Sequence, residues 1–232
     1  DPRGVSCVDA AGAAWTPRSP ATRPVDYPSG MSGDAAGTLD PELPNLDPAV
    51  VDGYRNAPEA VVAEIIDGQL SLMPRPHRQH VRVAGELHGE LRGPFDRGRD
   101  GPGGWVLMAE PELRLGPRPD VVVPDVAGWR RERLPAGFLA REAPAFIDLA
   151  PDWVCEVLSP STEQVDRGRK LDLYRREGVG HVWLVSPVLR TVEVFRRHDL
   201  GWLLTATFAG DVAVRAEPFD AVELDLAVVW AP

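Results

Sequence analysis

PDWVCEVLSPSTEQVDRGRKLDLYRREGVGHVWLV, residues 151–185, is the stretch on which the fold turns. Asp152–Leu158 is a short apolar run rich in valine, which predicts a buried strand. Ser159-Pro160-Ser161-Thr162 breaks it. Ser161 and Gln164 have the spacing of a capping box, so a helix is expected from there to about Glu177, where Gly178 is a good stop. His181–Val185 then predicts another buried strand. A strand, a helix and a strand of these lengths make a βαβ unit with two parallel strands.

Working outward, Val61–Met73 predicts a β-hairpin, because Asp67-Gly68 is a strong two-residue turn between apolar runs. A short helix fits Pro48–Ala57. Residues 77–93 predict an amphipathic helix with Val81, Ala84, Leu87, His88 and Leu91 on one face. Trp105–Gly116 reads as one strand and a turn, and Pro119–Val123 as a short buried strand. Residues 124–150 read as a long excursion carrying Arg130, Arg131 and Arg133. After the βαβ unit, Thr191–Arg197 and Trp202–Phe208 predict a second hairpin, and Val222–Trp230 an extended or helical element. The fold class is α+β. A mixed central sheet, made of an antiparallel meander and a parallel βαβ crossover, is flanked by helices.

Residues 1–45 are rich in Pro, Ala, Gly, Ser and Thr without periodicity. They are expected to form a poorly ordered tail before a domain at 46–232. Met31 opens an alternative start. No run reaches the roughly 18 apolar residues of a membrane span, and no apolar secretory segment opens the chain, so a cytoplasmic protein is expected. Two distant cysteines, Cys7 and Cys155, make neither a disulfide framework nor a zinc site. The formal charge of −10 argues against coating nucleic acid through bulk charge. It leaves room for carboxylates that hold a cation beside one local basic patch. Of the 25 basic residues only Lys170 is a lysine. In so arginine-biased a chain, a lone lysine marks a place where a compact ammonium is needed, or a chance survivor on a solvated helix.

Three residues stand out chemically. Glu156 lies inside an apolar strand, pointing with Val154 and Leu158. It is either a site residue or the acid of a structural ion pair, since a buried unpaired charge is costly. Asp120 opens the Val121–Val123 run in the same way. Two acids at the ends of neighbouring buried strands suit Mg²⁺, which takes a few carboxylates and keeps waters. Lys170 shares a helical face with Asp166, Leu173, Tyr174 and Glu177, from which it could reach the Glu156 strand. The plain alternative is a surface pair with Asp166. The clusters Arg75/His77/Arg78, Arg97/Arg99, Arg130/Arg131/Arg133 and Arg167/Arg169 offer phosphate contacts or simply a solvated surface.

Three stretches resemble the Uma-type family of restriction endonucleases, a branch of the PD-(D/E)XK superfamily. They are AEIIDGQL followed by His80 and its helix, RPDVVVPD, and PDWVCEVLSPST…DRGRKLDLYRREGVGHVWLV, together about residues 60–190. The resemblance implies a restriction-endonuclease-like core and a nuclease acting on DNA. It implies an Asp and a Glu on adjacent strands as ligands of Mg²⁺ or Mn²⁺, here expected to be Asp120 and Glu156, with a lysine assisting. The usual lysine position two residues after the acid is Leu158, so the resemblance implies that Lys170, on the following helix, takes that role. Glu64 and His80 match two further recurrent polar positions. Glu64 is expected to help the metal through water, and His80 to touch substrate. A homodimer stays open, as do an inactive nuclease-fold binding module and a hydrolase of another phosphoester.

Overall fold

The hairpin forms at the expected place. Strands β1 (Val61–Ile66) and β2 (Gln69–Pro74) pair antiparallel from Val61↔Pro74 to Ile66↔Gln69. Asp67 and Gly68 both adopt positive φ, 53° and 71°, as a two-residue hairpin turn requires. This is a computed structural model, which describes residues 42–231. Most of the expected tail, residues 1–41, lies outside them. Leu43 and Leu46 are buried with Val51, Ile65 and Val121, so apolar packing begins before residue 46. Val51 comes from helix α1 (Pro48–Arg55), whose first turn is capped by the Asp47 carboxylate on the Ala49 N–H.

Helix α2 (Arg78–Leu91) runs on into a π-wound turn, Arg92–Asp96. Its buried stripe is Val83, Leu87 and Leu91, four residues apart, and Val81 is 53% exposed. The expected face was therefore rotated: Leu87 and Leu91 fit either stripe, and only packing chooses between Val81 and Val83. Residues 105–116 divide into β3 (Trp105–Ala109) and β4 (Leu113–Leu115), which belong to different sheets. The break falls at Glu110-Pro111, where Glu110 takes a φ of 47°. Then come β5 (Asp120–Val122) and β6 (Val126–Arg130). The second of these lies inside the expected loop excursion. Gly128 disguised it, since glycine is a poor strand former. The structure gives the reason for the glycine: a Cβ there would lie 2.7 Å from Leu107 and 3.3 Å from both Trp105 and Trp153.

Strand β7 (Trp153–Val157) is followed by the helical run 163–176 (α3) and by β8 (His181–Ser186). The strands β7 and β8 are parallel, Trp153↔His181 to Val157↔Val185, so the crossover is the βαβ unit read from sequence. The expected Ser161–Gln164 capping box does not form. The helix begins after Thr162, and the Ser159 hydroxyl bridges those of Ser161 and Thr162, each at 3.0 Å. A hairpin of β9 (Thr191–His198) and β10 (Gly201–Ala209) and a ribbon of β11 (Ala213–Val214) and β12 (Leu224–Asp225) precede the last helix, α4 (Leu226–Trp230).

The central sheet is six-stranded, in the order β10-β9-β8-β7-β6-β3, with one parallel pair among antiparallel ones. A second sheet, β2-β1-β5-β4, carries the first hairpin. Trp153, Cys155 and Val157 face one core, with α2, α4 and Phe219. Val154 and Leu158 face the other, with α3 and the inner residues of the second sheet. Among the described residues no helix is long and apolar enough to cross a membrane.

Candidate active site

Strand alternation places Glu156 on the α3 side of β7, level with the residues that α3 turns inward. The middle of α3, Asp166–Lys170, is wound as a π-helix, a wider turn often found where side chains must be re-aimed. Asp166 and Lys170 come from this turn and Tyr174 from the next. All three are buried, Lys170 to 4% exposure. The Lys170 Nζ lies 3.0 Å from Glu64 Oε1, 3.3 Å from Glu156 Oε1 and 3.4 Å from Asp166 Oδ1. A solvated surface pair with Asp166 is thus excluded. The Tyr174 hydroxyl donates to Glu156 Oε1 at 2.5 Å. Glu64, from β1 and 1% exposed, accepts the Val123 N–H at 2.9 Å through Oε1, and its buried Oε2 has no hydrogen-bond partner.

The aspartate that joins this cluster is Asp125, which the sequence reading did not single out. It stands at the start of β6, beside the end of β7. Its Oδ2 accepts the Val157 N–H at 2.7 Å, and its Oδ1 lies 2.6 Å from His80 Nε2. Its strand is the neighbour of the Glu156 strand in the central sheet. Asp120 fits that description less well, because its strand β5 belongs to the second sheet. The Asp120 carboxylate accepts the Asp67 N–H at 2.6 Å and is ion-paired with Arg176, so it ties the hairpin turn to the end of α3. The structure brings Glu64, His80, Glu156 and Lys170 together around one cleft with Asp125, and leaves Asp120 out. Pro119-Asp120 and Pro124-Asp125 both lie in RPDVVVPD. The signal that could have chosen the second is that an aspartate before β6 faces Glu156 in the next strand, but β6 itself was hidden by Gly128.

Three carboxylates, of Glu64, Glu156 and Asp166, surround one ammonium at the floor of a cleft with about 80 Å³ of room, and the Asp125 carboxylate lines the same cleft. Burial lifts the Glu156 carboxyl well above the usual range, against the pull of Lys170. Burial likewise raises Asp166, opposed by Lys170 and a hydrogen bond from Thr162. Burial works against the Lys170 ammonium, yet Glu156, Glu64 and Asp166 outweigh it and hold its pKa well above the ordinary lysine value. Burial and Glu156 push the Tyr174 phenol up, so it remains a donor. Among the described residues no three His, Cys, Asp or Glu side chains converge as a finished metal cage. A hard divalent cation does not require one, since Mg²⁺ binds through one or two carboxylates and keeps its waters. The excess of acid and the unpartnered Glu64 Oε2 fit such an ion.

A solved structure from Anabaena variabilis, described as a "putative nuclease belonging to DUF820", is similar over 78% of this chain and 96% of that one. Its identity is 23% and its TM-score 0.62, a likeness of fold. No curated protein matches. The model of the Uma2 family, described as "Putative restriction endonuclease", matches residues 51–228, from α1 into α4 and through every strand of the cleft. The chain therefore belongs to the Uma2 family.

Proposed function

We propose that this chain is a metal-dependent endonuclease that hydrolyses DNA phosphodiester bonds, with Asp125 and Glu156 holding Mg²⁺ or Mn²⁺ and Lys170 assisting. The observation that carries this reading is the burial of the single lysine among Glu64, Glu156 and Asp166, at the floor of an open cleft. A divalent cation held there would supply Lewis acidity toward the phosphodiester and neutralise its charge.

The chain's own groups prepare the site. Tyr174 and Lys170 both bind Glu156 Oε1, which leaves Oε2 as the oxygen for a cation. The Val157 N–H and His80 fix the plane of the Asp125 carboxylate, and each oxygen keeps a lone pair. Its surrounding acids keep the Lys170 ammonium protonated, a fixed positive charge at the floor of the cleft that would offset negative charge developing on the substrate. Asp166 and Glu64 hold that ammonium in place.

A second reading, an inactive binding module, is favoured by the same lysine, because it already offsets part of the acid charge that a cation would meet. Mg²⁺-dependent thermal stabilisation and plasmid cleavage test the two. Wild-type protein that neither shifts nor cleaves would establish the second. Activity on small phosphodiesters without DNA cleavage would point to another phosphoester.

A further inference from the structure

Several arginines of this chain are held by carboxylates. Arg131 meets Asp96 at 2.5 Å, Arg133 meets Asp152 at 2.7 Å, and Arg167 is held by Glu163 and Glu193. Arg169 bonds the Ile66 carbonyl and neighbours Asp67, and Arg176 pairs with Asp120. Each of these charges is matched by a carboxylate. Arg75 differs. Its Nε and Nη2 donate to the Glu59 carbonyl at 3.2 and 3.0 Å, and among the described residues it makes no ion pair. A carbonyl orients a guanidinium without cancelling its charge. Pro74 and Pro76 flank it and restrict the backbone that carries it.

Its position gives that charge a purpose. The active-site cleft adjoins a second cleft of about 470 Å³ beside Tyr54 of α1, and Val62, Arg75, Pro76, Val123 and Asp125 border both. An acid-rich site in a chain of charge −10 repels a polyanion, so a strand needs a fixed cation at that junction. The N–H groups that Arg75 does not use on Glu59 match the fork of a phosphate.

We propose that Arg75 clamps a phosphate of a nucleic-acid strand lying across the junction of the two clefts, next to the phosphate at the acid cluster. The clamp rests on the endonuclease reading for the chemistry beside it. Its test is binding, so the two can fail separately. A short fluorescein-labelled DNA duplex is titrated by anisotropy in Ca²⁺ and in EDTA, with wild type, Arg75→Ala, Arg75→Lys and Arg215→Ala. Arg215 also bonds only carbonyls, those of Asp220 and Ala221, and lines neither cleft. Arg75→Ala is expected to raise Kd about tenfold and to flatten the salt dependence by about 0.9 in slope. Arg75→Lys should recover part of the affinity, and Arg215→Ala should match wild type. An Arg75→Ala Kd within twofold of wild type, an equal loss in Arg215→Ala, or a wild type that binds no duplex would each overturn the clamp. The Arg75 effect without Mg²⁺-dependent cleavage by wild type would overturn the hydrolase and leave the clamp standing.

Discussion

Two Pro-Asp dipeptides five residues apart meet opposite fates in this molecule. Pro119-Asp120 opens β5 in the second sheet, where the carboxylate serves the hairpin turn through the Asp67 N–H and Arg176. Pro124-Asp125 opens β6 in the central sheet, where the carboxylate meets His80 and the Val157 N–H beside Glu156. The dipeptide is the same, and so is the run of valines between them. What differs is the sheet that receives each strand. Which carboxylate joins the acid cluster is thus decided by its neighbours across the hydrogen-bonded ladder, and local composition cannot supply those neighbours.

The comparison breaks most visibly if the two aspartates are exchanged in effect. Asp125→Asn should lose about a thousandfold in Mg²⁺-dependent cleavage, the scale of a lost electrostatic contact at a reacting centre. It should also lose the Mg²⁺ thermal shift while remaining folded. Cleavage near the wild-type rate in this variant would return the site to Asp120.

Lys170→Arg sharpens the same contrast on the helix side. Arginine keeps the charge but brings a larger planar group into a space closed by Glu64, Glu156 and Asp166. Cleavage should fall about a hundredfold, with Mg²⁺ binding retained. An active variant would show that the lone lysine only fills the space.

Asp120→Asn should do the reverse of Asp125→Asn. It weakens the link to Arg176, half of which is solvent-exposed, so chemical denaturation should show a loss of about 1 kcal/mol. The response to Mg²⁺ should stay as in wild type. A lost metal response would mean that the turn and the cleft are one site.

The smallest effect concerns pH. Burial holds the folded Glu156 pKa above 4.5, the ordinary value, so its favourable contribution is complete below that pH and is lost as pH rises through the folded value. In EDTA, wild type should therefore lose stability relative to Glu156→Gln as pH climbs above 4.5. Parallel melting curves across that range would mean that Lys170 fully offsets the burial of Glu156.

The residues themselves determined a good deal. Asp67-Gly68 could hardly be anything but a turn, since both positions must accept positive φ. The run 151–185 specified a strand, a helix and a parallel strand through its apolar blocks and breakers. The lone lysine raised two alternatives, a place that needs a compact ammonium or a chance survivor on a solvated helix, and only its burial decided against the second. Tertiary structure alone decided the rest. The choice of Val83 over Val81 depended on which side of α2 the central sheet covers. Strand β6 needed Trp105 and Trp153 in place before Gly128 made sense as a packing requirement. Asp125 came beside Glu156 only when β6 was laid beside β7, because strand pairing joins residues far apart in the chain and leaves no local mark in the order of amino acids.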